Sequence, residues 1–166
     1  MSYSPAEHTI ITSAQNAEVK LLRSLHDRKY RKKTGWFLAE GMRICTEAVQ
    51  MGFAPVRLVY AAGREHEPGL AALISACRGA GGRALPVTES LLSRISRKDN
   101  AQMVIGAFAQ NWTSLDRLIT QADTAPQGCW IALDRVRDPG NLGTIMRTAD
   151  AVAANGIILI DDCTDP

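Results

Sequence analysis

Apolar positions recur along this chain in two rhythms, and their alternation organises it. Trp36–Ala39, Arg57–Ala61, Ala84–Val87 and Met103–Ala109 are short runs rich in apolar and β-branched residues, which predicts strands. Between them the spacing is helical. Val19, Leu22 and Leu25, with Leu21 alongside, follow a cap at Asn16-Ala17-Glu18. They predict a helix that runs into a lysine- and arginine-rich stretch and stops by Gly35. Further helices are expected at Met42–Met51, ended by Gly52, and at Leu70–Arg78. Another follows Thr88, with Leu91, Leu92 and Ile95 on one face. Glu40-Gly41 reads as a turn, and Ile10–Ser13 as a short extended lead-in. Strands alternating with helices give an α/β layered domain over residues 1–110. Residues 111–128 have linker composition, with room for a short helix at Ser114–Gln121.

The last stretch, residues 129–166, is patterned more sharply. Trp130–Leu133 is an apolar run ending at Asp134, and Asp138-Pro139-Gly140 is the turn signal of the polar loop after it. Asn141 stands where a helix N-cap is expected. Leu142, Ile145, Met146, Ala149, Val152 and Ala153 then fall on one helical face. Arg147 points away from that face, between Thr144 and Thr148. Asn155-Gly156 closes the helix, and Gly156–Ile160 is a second strand, so the unit is a right-handed parallel crossover. Both strands read as buried on both faces. So short a piece cannot enclose a core alone, which leads to the expectation that the chain is a fragment of a longer protein.

Composition changes the picture in one place. Hydrophobic residues make up 46% and charged residues 22%, ordinary for a globular chain without a membrane span. Met1–His8 has no apolar core of the secretory type. Cys45, Cys77, Cys129 and Cys163 are scattered without a C-x-x-C pair, against both a zinc site and a disulfide framework, so the cytoplasm is expected. His8, His26 and His66 have no partners at ligand spacing and read as surface residues. The net charge is only +2. Yet Lys20, Arg23, Arg28, Lys29, Arg31, Lys32 and Lys33 stand against one acid, Asp27, within fourteen positions. Such a block either solvates and complements a helix C-terminus or faces a polyanion. Tyr30 within it is suited to stacking on a base.

Asp134, Asp138-Pro139-Gly140-Asn141-Leu142-Gly143-Thr144 and Arg147-Thr148-Ala149-Asp150 resemble the first signature motif of the SpoU/TrmH RNA ribose 2′-O-methyltransferases, of the SPOUT superfamily. One departure is Ala153, near which the family often has glycine. The N-terminal part resembles the family's ribosomal-protein-like RNA-binding domain. That likeness rests on Ile11–Asn16, Val19-Lys20 with Leu22, Arg31-Lys32, and Phe37-Leu38-Ala39-Glu40-Gly41 with Arg43. The resemblance implies a homodimer acting on ribosomal or transfer RNA with S-adenosylmethionine. It also implies a trefoil knot, built by later motifs, that holds the cofactor. The chain as given is therefore expected to bind the donor poorly and to be inactive alone, with no cofactor-binding residue of its own.

The resemblance further implies Asn141 and Arg147 as catalytic residues and the basic block, Lys20 to Lys33, as RNA-binding. Arginine side chains stay protonated up to about pH 12, so phosphate binding and charge stabilisation suit Arg147 better than general-base work, which the family is often said to use. Asp134 and Asp138 either orient the loop or pair with Arg135 or Arg137, and Glu40 reads more readily as a surface carboxylate than as an organiser of the first domain. Two other readings stand beside this one. A non-catalytic RNA-binding module needs only the basic block. A Rossmann-type nucleotide-binding unit would use the strand–turn–helix and Asp161, but Gly140-Asn141-Leu142-Gly143 is not G-x-G-x-x-G.

Overall fold

The computed structural model describes residues 9–98, 102–118 and 128–165. The chain forms two compact units that part after Gln110. In the first, β1 (Trp36–Glu40), β2 (Arg57–Ala61), β3 (Arg83–Val87) and β4 (Val104–Ala109) make one sheet ordered β1-β4-β2-β3. β2 and β3 run parallel, and β4 is antiparallel to both of its neighbours. The helices are α1 (Ala17–Ser24), α2 (Arg28–Thr34), α3 (Met42–Gln50), α4 (Pro68–Gly79) and α5 (Glu89–Ser96).

Strand side chains alternate between faces, and β2 shows what that does here. Val59 and Ala61 pack with Val19 and Leu22 of α1 and Leu91, Leu92 and Ile95 of α5. Leu58 and Tyr60 pack with Cys45 of α3 and with Leu70, Leu73 and Cys77 of α4. Helices therefore cover both faces of the sheet, the layering that the pattern predicts. Ile11 adds a parallel bridge to the β3 edge, its N–H donating to the Pro86 carbonyl at 2.9 Å.

The single helix expected from Asn16 to Gly35 is two. Asn16 caps α1 as predicted, its side chain accepting from the Glu18 N–H at 2.9 Å. After Ser24 the chain tightens. The N–H groups of Leu25, His26 and Asp27 reach back three residues, to the carbonyls of Leu22, Arg23 and Ser24. Asp27 is extended (φ −91°, ψ 129°) and starts α2, which ends at Gly35 in the left-handed conformation. The break turns Leu25 into the core at 1% exposure. It also exposes the carbonyls of Leu25 and His26, and the Arg31 guanidinium donates to both, at 3.0 and 2.8 Å.

The second unit contains β5 (Trp130–Asp134), α6 (Pro139–Ala151) and β6 (Gly156–Ile160), with β5 and β6 parallel. Trp130 lies opposite Gly156, where an added Cβ would stand 2.5 Å from the indole, so the ring rests directly on the backbone. Among the described residues of this unit, Leu142, Ala149 and Cys163 are the buried ones. The strands are not buried on both faces as expected: their residues are half-buried or exposed, because a single helix accompanies a two-stranded sheet. A helical turn at 115–118, with the Leu118 N–H donating to Ser114 at 3.2 Å, is the described part of the helix expected at Ser114–Gln121. The remainder lies outside the described residues. Among the described residues no helix is long and apolar enough to cross a membrane.

α6 also ends earlier than Asn155-Gly156. Val152 is its C-cap, and Ala153 follows at φ 51°. The Ala154 N–H donates to Ala149 at 2.9 Å and the Ala153 N–H to Asp150 at 3.0 Å, which together form a Schellman motif. The expected glycine thus has a backbone reason as well as a packing one. An L-residue in the left-handed region costs roughly 1–2 kcal/mol, and glycine returns about 0.5–1 of that as unfolded-state entropy. Ala153→Gly should therefore raise stability by about 0.5–1 kcal/mol, read as a higher urea midpoint. A lowered midpoint would show that the methyl group does packing work.

Candidate functional site

Helix α6 begins with Pro139 at its first position, and its N-cap is Asp138, not Asn141. The Asp138 Oδ1 accepts the Asn141 N–H at 2.6 Å. Asn141 stands one turn further in, exposed, its side-chain amide making no hydrogen bond among the described residues. The sequence carried the correct signal, since proline favours the first helical position and aspartate the cap before it.

Beyond Asn141 one stretch of α6 is polar and exposed, comprising Thr144, Arg147 and Thr148. The two threonine hydroxyls donate back along the helix, Thr144 to the Gly140 carbonyl and Thr148 to the Thr144 carbonyl, each at 3.0 Å. Arg147 Nη2 donates to Thr144 Oγ1 at 3.1 Å, and its other terminal nitrogen lies over Gly143. Long helical side chains lean toward the N-terminus. The guanidinium accordingly lies toward the N-terminal turn of the helix, whose Asn141 N–H is already taken by Asp138. An exposed guanidinium held by a neighbouring hydroxyl favours an anionic or electron-rich ligand.

The loop before α6 is held by its neighbours in sequence and by the segment after β6. Arg135, at φ 54°, donates to both carboxylate oxygens of Asp134, at 3.0 and 2.9 Å, and its N–H extends the strand pairing to Ile160. Arg137 stands 3.9 Å from Asp162, so the Asp138–Arg pairing considered from sequence is replaced by capping. The Thr164 N–H donates to the Val136 carbonyl at 2.7 Å, and buried Cys163 donates its thiol to Leu133. The residues after Ile160 therefore position the loop that leads into α6.

In the first unit Lys20, Arg23, Arg28, Lys29, Lys32 and Lys33 are exposed, and Lys29, Lys32 and Lys33 share one face of α2 at i, i+3 and i+4. Arg31 is the exception, half-buried and bonded to the carbonyls at the end of α1. Tyr30 is 39% exposed beside the lysines. Two carboxylates are more important than the sequence suggested. Glu40 is 14% exposed and accepts from Ser96 Oγ at 2.8 Å and Lys98 Nζ at 2.9 Å. Glu18 takes Arg57 at 2.9 Å and also contacts Arg83, while the Arg57 guanidinium lies 5.2 Å from the Trp36 ring centre. His26 is not a surface residue either: its Nε2 is 2.6 Å from the Ile95 carbonyl. His66 is exposed, and His8 lies outside the described residues. Burial pushes the Cys45 thiol up to about 11, which removes it as a nucleophile.

Comparison with known proteins agrees with this arrangement. Residues 16–106 match the MRM3-like substrate binding domain, and residues 128–166 match the SpoU rRNA Methylase family. An uncharacterised tRNA/rRNA methyltransferase of Synechocystis sp. is 35% identical over 94% of this chain and 54% of its own length. The 23S rRNA (guanosine(2553)-2′-O)-methyltransferase RlmP of Bacillus subtilis is 30% identical over 93% of this chain and 56% of its own. The AdoMet-bound rRNA methyltransferase of Sinorhizobium meliloti superposes with a TM-score of 0.80 at 42% identity, over 94% of this chain and 56% of that one. The chain spans about half the length of the curated relatives it matches. An MRM3-like substrate-binding domain followed by the SpoU signature on an exposed helix is the pattern of one family, and the chain belongs to the SpoU rRNA methylase family.

Proposed function

We propose that the protein is an RNA ribose 2′-O-methyltransferase that uses S-adenosylmethionine. In this reading residues 1–110 hold the RNA, residues 111–128 link, and residues 129–166 present α6 to the reacting ribose. The observation that carries it is the exposed Arg147, bonded to Thr144 and lying back toward the N-terminal turn of a helix that matches the SpoU signature.

When bound, S-adenosylmethionine supplies an electrophilic methyl group on a sulfonium. The side chains exposed on α6 suit the RNA and not that donor, because a guanidinium repels a sulfonium cation and attracts phosphate. The residues of this chain are therefore assigned to the acceptor. Arg147 binds the phosphate beside the target nucleotide and stabilises the negative charge growing on the 2′-oxygen as its proton leaves. Asn141, its amide unpaired among the described residues, hydrogen-bonds the ribose and holds the 2′-oxygen in line for attack. A general-base role for Arg147 is the second option for the same residue.

We further place the enzyme in the cytoplasm as a homodimer acting on ribosomal or transfer RNA. Met146, Val152 and Ile160 are exposed apolar side chains of the second unit that self-association would cover. The test is incubation of the whole protein, including the cofactor-holding part that the family resemblance implies, with methyl-tritiated S-adenosylmethionine and each RNA. The expected product is label in dinucleotides that survive alkaline hydrolysis, from a species of twice the chain mass by light scattering. RNA binding without any label would favour the non-catalytic binding module.

A further inference from the structure

The basic block is read from consecutive residues, but the fold brings a second cationic element to it. His26 sits at the corner between α1 and α2, and its Nε2 is 2.6 Å from the carbonyl of Ile95 near the end of α5. A carbonyl can only accept, so the proton is on Nε2. The next residue, Ser96, is 2% exposed and donates to Glu40, which also takes Lys98. The end of α5 is thus fixed from two sides, by the α1–α2 corner and by the end of β1.

Two arginines project from this fixed turn. Arg94 lies in the last turn of α5, and Arg97 is its C-cap at φ 61°. Both are exposed, and neither makes a side-chain hydrogen bond or ion pair among the described residues. They stand one and two residues from Ile95, while Arg23 and Arg28 stand three and two residues from its partner His26. Of the acids facing this corner among the described residues, Glu40 is occupied by Ser96 and Lys98, which leaves Asp27, and Asp99 lies outside the described residues. Glu89 lies at the other end of α5.

We propose that Arg94 and Arg97 extend the basic surface of α1 and α2 into one phosphate-binding face that takes a base-paired RNA helix. This rests on the RNA-binding role proposed above and adds to it both residues and the form of the RNA. Binding of unpaired strands relies on aromatic platforms for the bases. Here Tyr30 is the exposed aromatic beside cations drawn from three helices. That ratio suits contact with backbones, and double-stranded RNA is held mainly through its phosphates and 2′-hydroxyls.

The test compares the full chain with Arg94→Ala/Arg97→Ala, binding an RNA hairpin and an unpaired strand of equal length across a salt series. Arg78→Ala is the control, an exposed arginine on α4 across the sheet. The α5 variant should lower the slope of log K against log salt by about 2 for the hairpin, one for each phosphate that is no longer neutralised. Arg78→Ala should leave the slope unchanged. If Lys29→Ala/Lys32→Ala/Lys33→Ala weakens hairpin binding but the α5 variant matches Arg78→Ala, the α5 assignment fails alone. Equal affinity for the unpaired strand overturns the helical form of the RNA. No salt-dependent RNA binding by the unaltered chain would remove the underlying reading.

Discussion

In the whole protein, Arg147→Ala should lower methyl transfer by about 10²–10³ while changing RNA affinity no more than about threefold. The expected split follows from where the side chain stands. It is exposed on α6 and its one polar contact among the described residues is Thr144, so its loss opens no cavity and leaves no buried group unpaired. Surface substitutions of that kind move folding stability by roughly 0.5 kcal/mol or less. The basic surface of the first unit remains, so binding persists. On the role proposed for Arg147, what disappears is a fixed positive group beside the oxygen that becomes negative, and a single such donor is typically worth about 3–4 kcal/mol of transition-state stabilisation. Arg147→Lys separates the two roles. If charge is the contribution, lysine restores part of the rate, and that rate is flat between about pH 6 and 9. If the side chain must accept the proton, the lysine variant gains rate steadily with pH as it approaches its ordinary pKa of about 10.4. Full turnover by Arg147→Ala would remove this residue from the mechanism.

The strands were legible because each is a run of apolar residues with its own length, and burial of Leu58 through Ala61 on two opposed faces is written in that run. Caps were legible where one residue type had one job, as at Asn16 and Gly35. At α6 two signals competed: Asp138-Pro139-Gly140 reads equally as a turn or as a cap with proline behind it, and the helix begins there. The break between α1 and α2 contains neither glycine nor proline. It depends on Leu25 entering the core and on Arg31 returning to the carbonyls that the break exposes. Glu40 was underestimated for a related reason, since its partners Ser96 and Lys98 lie 56 and 58 positions away. Local spacing reports periodicity and propensity. It does not report which charge will be enclosed by residues distant in the chain.

That distinction determines how the basic block should respond to mutation. Taken from sequence, Lys29, Arg31, Lys32 and Lys33 form one group, but the fold divides them. The three lysines are exposed on one face of α2, so Lys29→Ala/Lys32→Ala/Lys33→Ala should leave the melting temperature nearly unchanged. RNA affinity should fall roughly 10–100-fold near 0.1 M salt, and the salt slope should decrease by about 3. Arg31→Ala should do the reverse. Its guanidinium holds the carbonyls of Leu25 and His26 at the corner between α1 and α2, and charge-assisted hydrogen bonds of this kind contribute about 1.5–3 kcal/mol. The variant should melt several degrees lower, and at temperatures where it is folded its salt slope should be close to that of the unaltered protein. Isothermal binding titrations and thermal melts on the same two preparations check both halves. An Arg31 variant that keeps its stability and loses salt-dependent RNA binding would place that arginine on the phosphate-binding face after all.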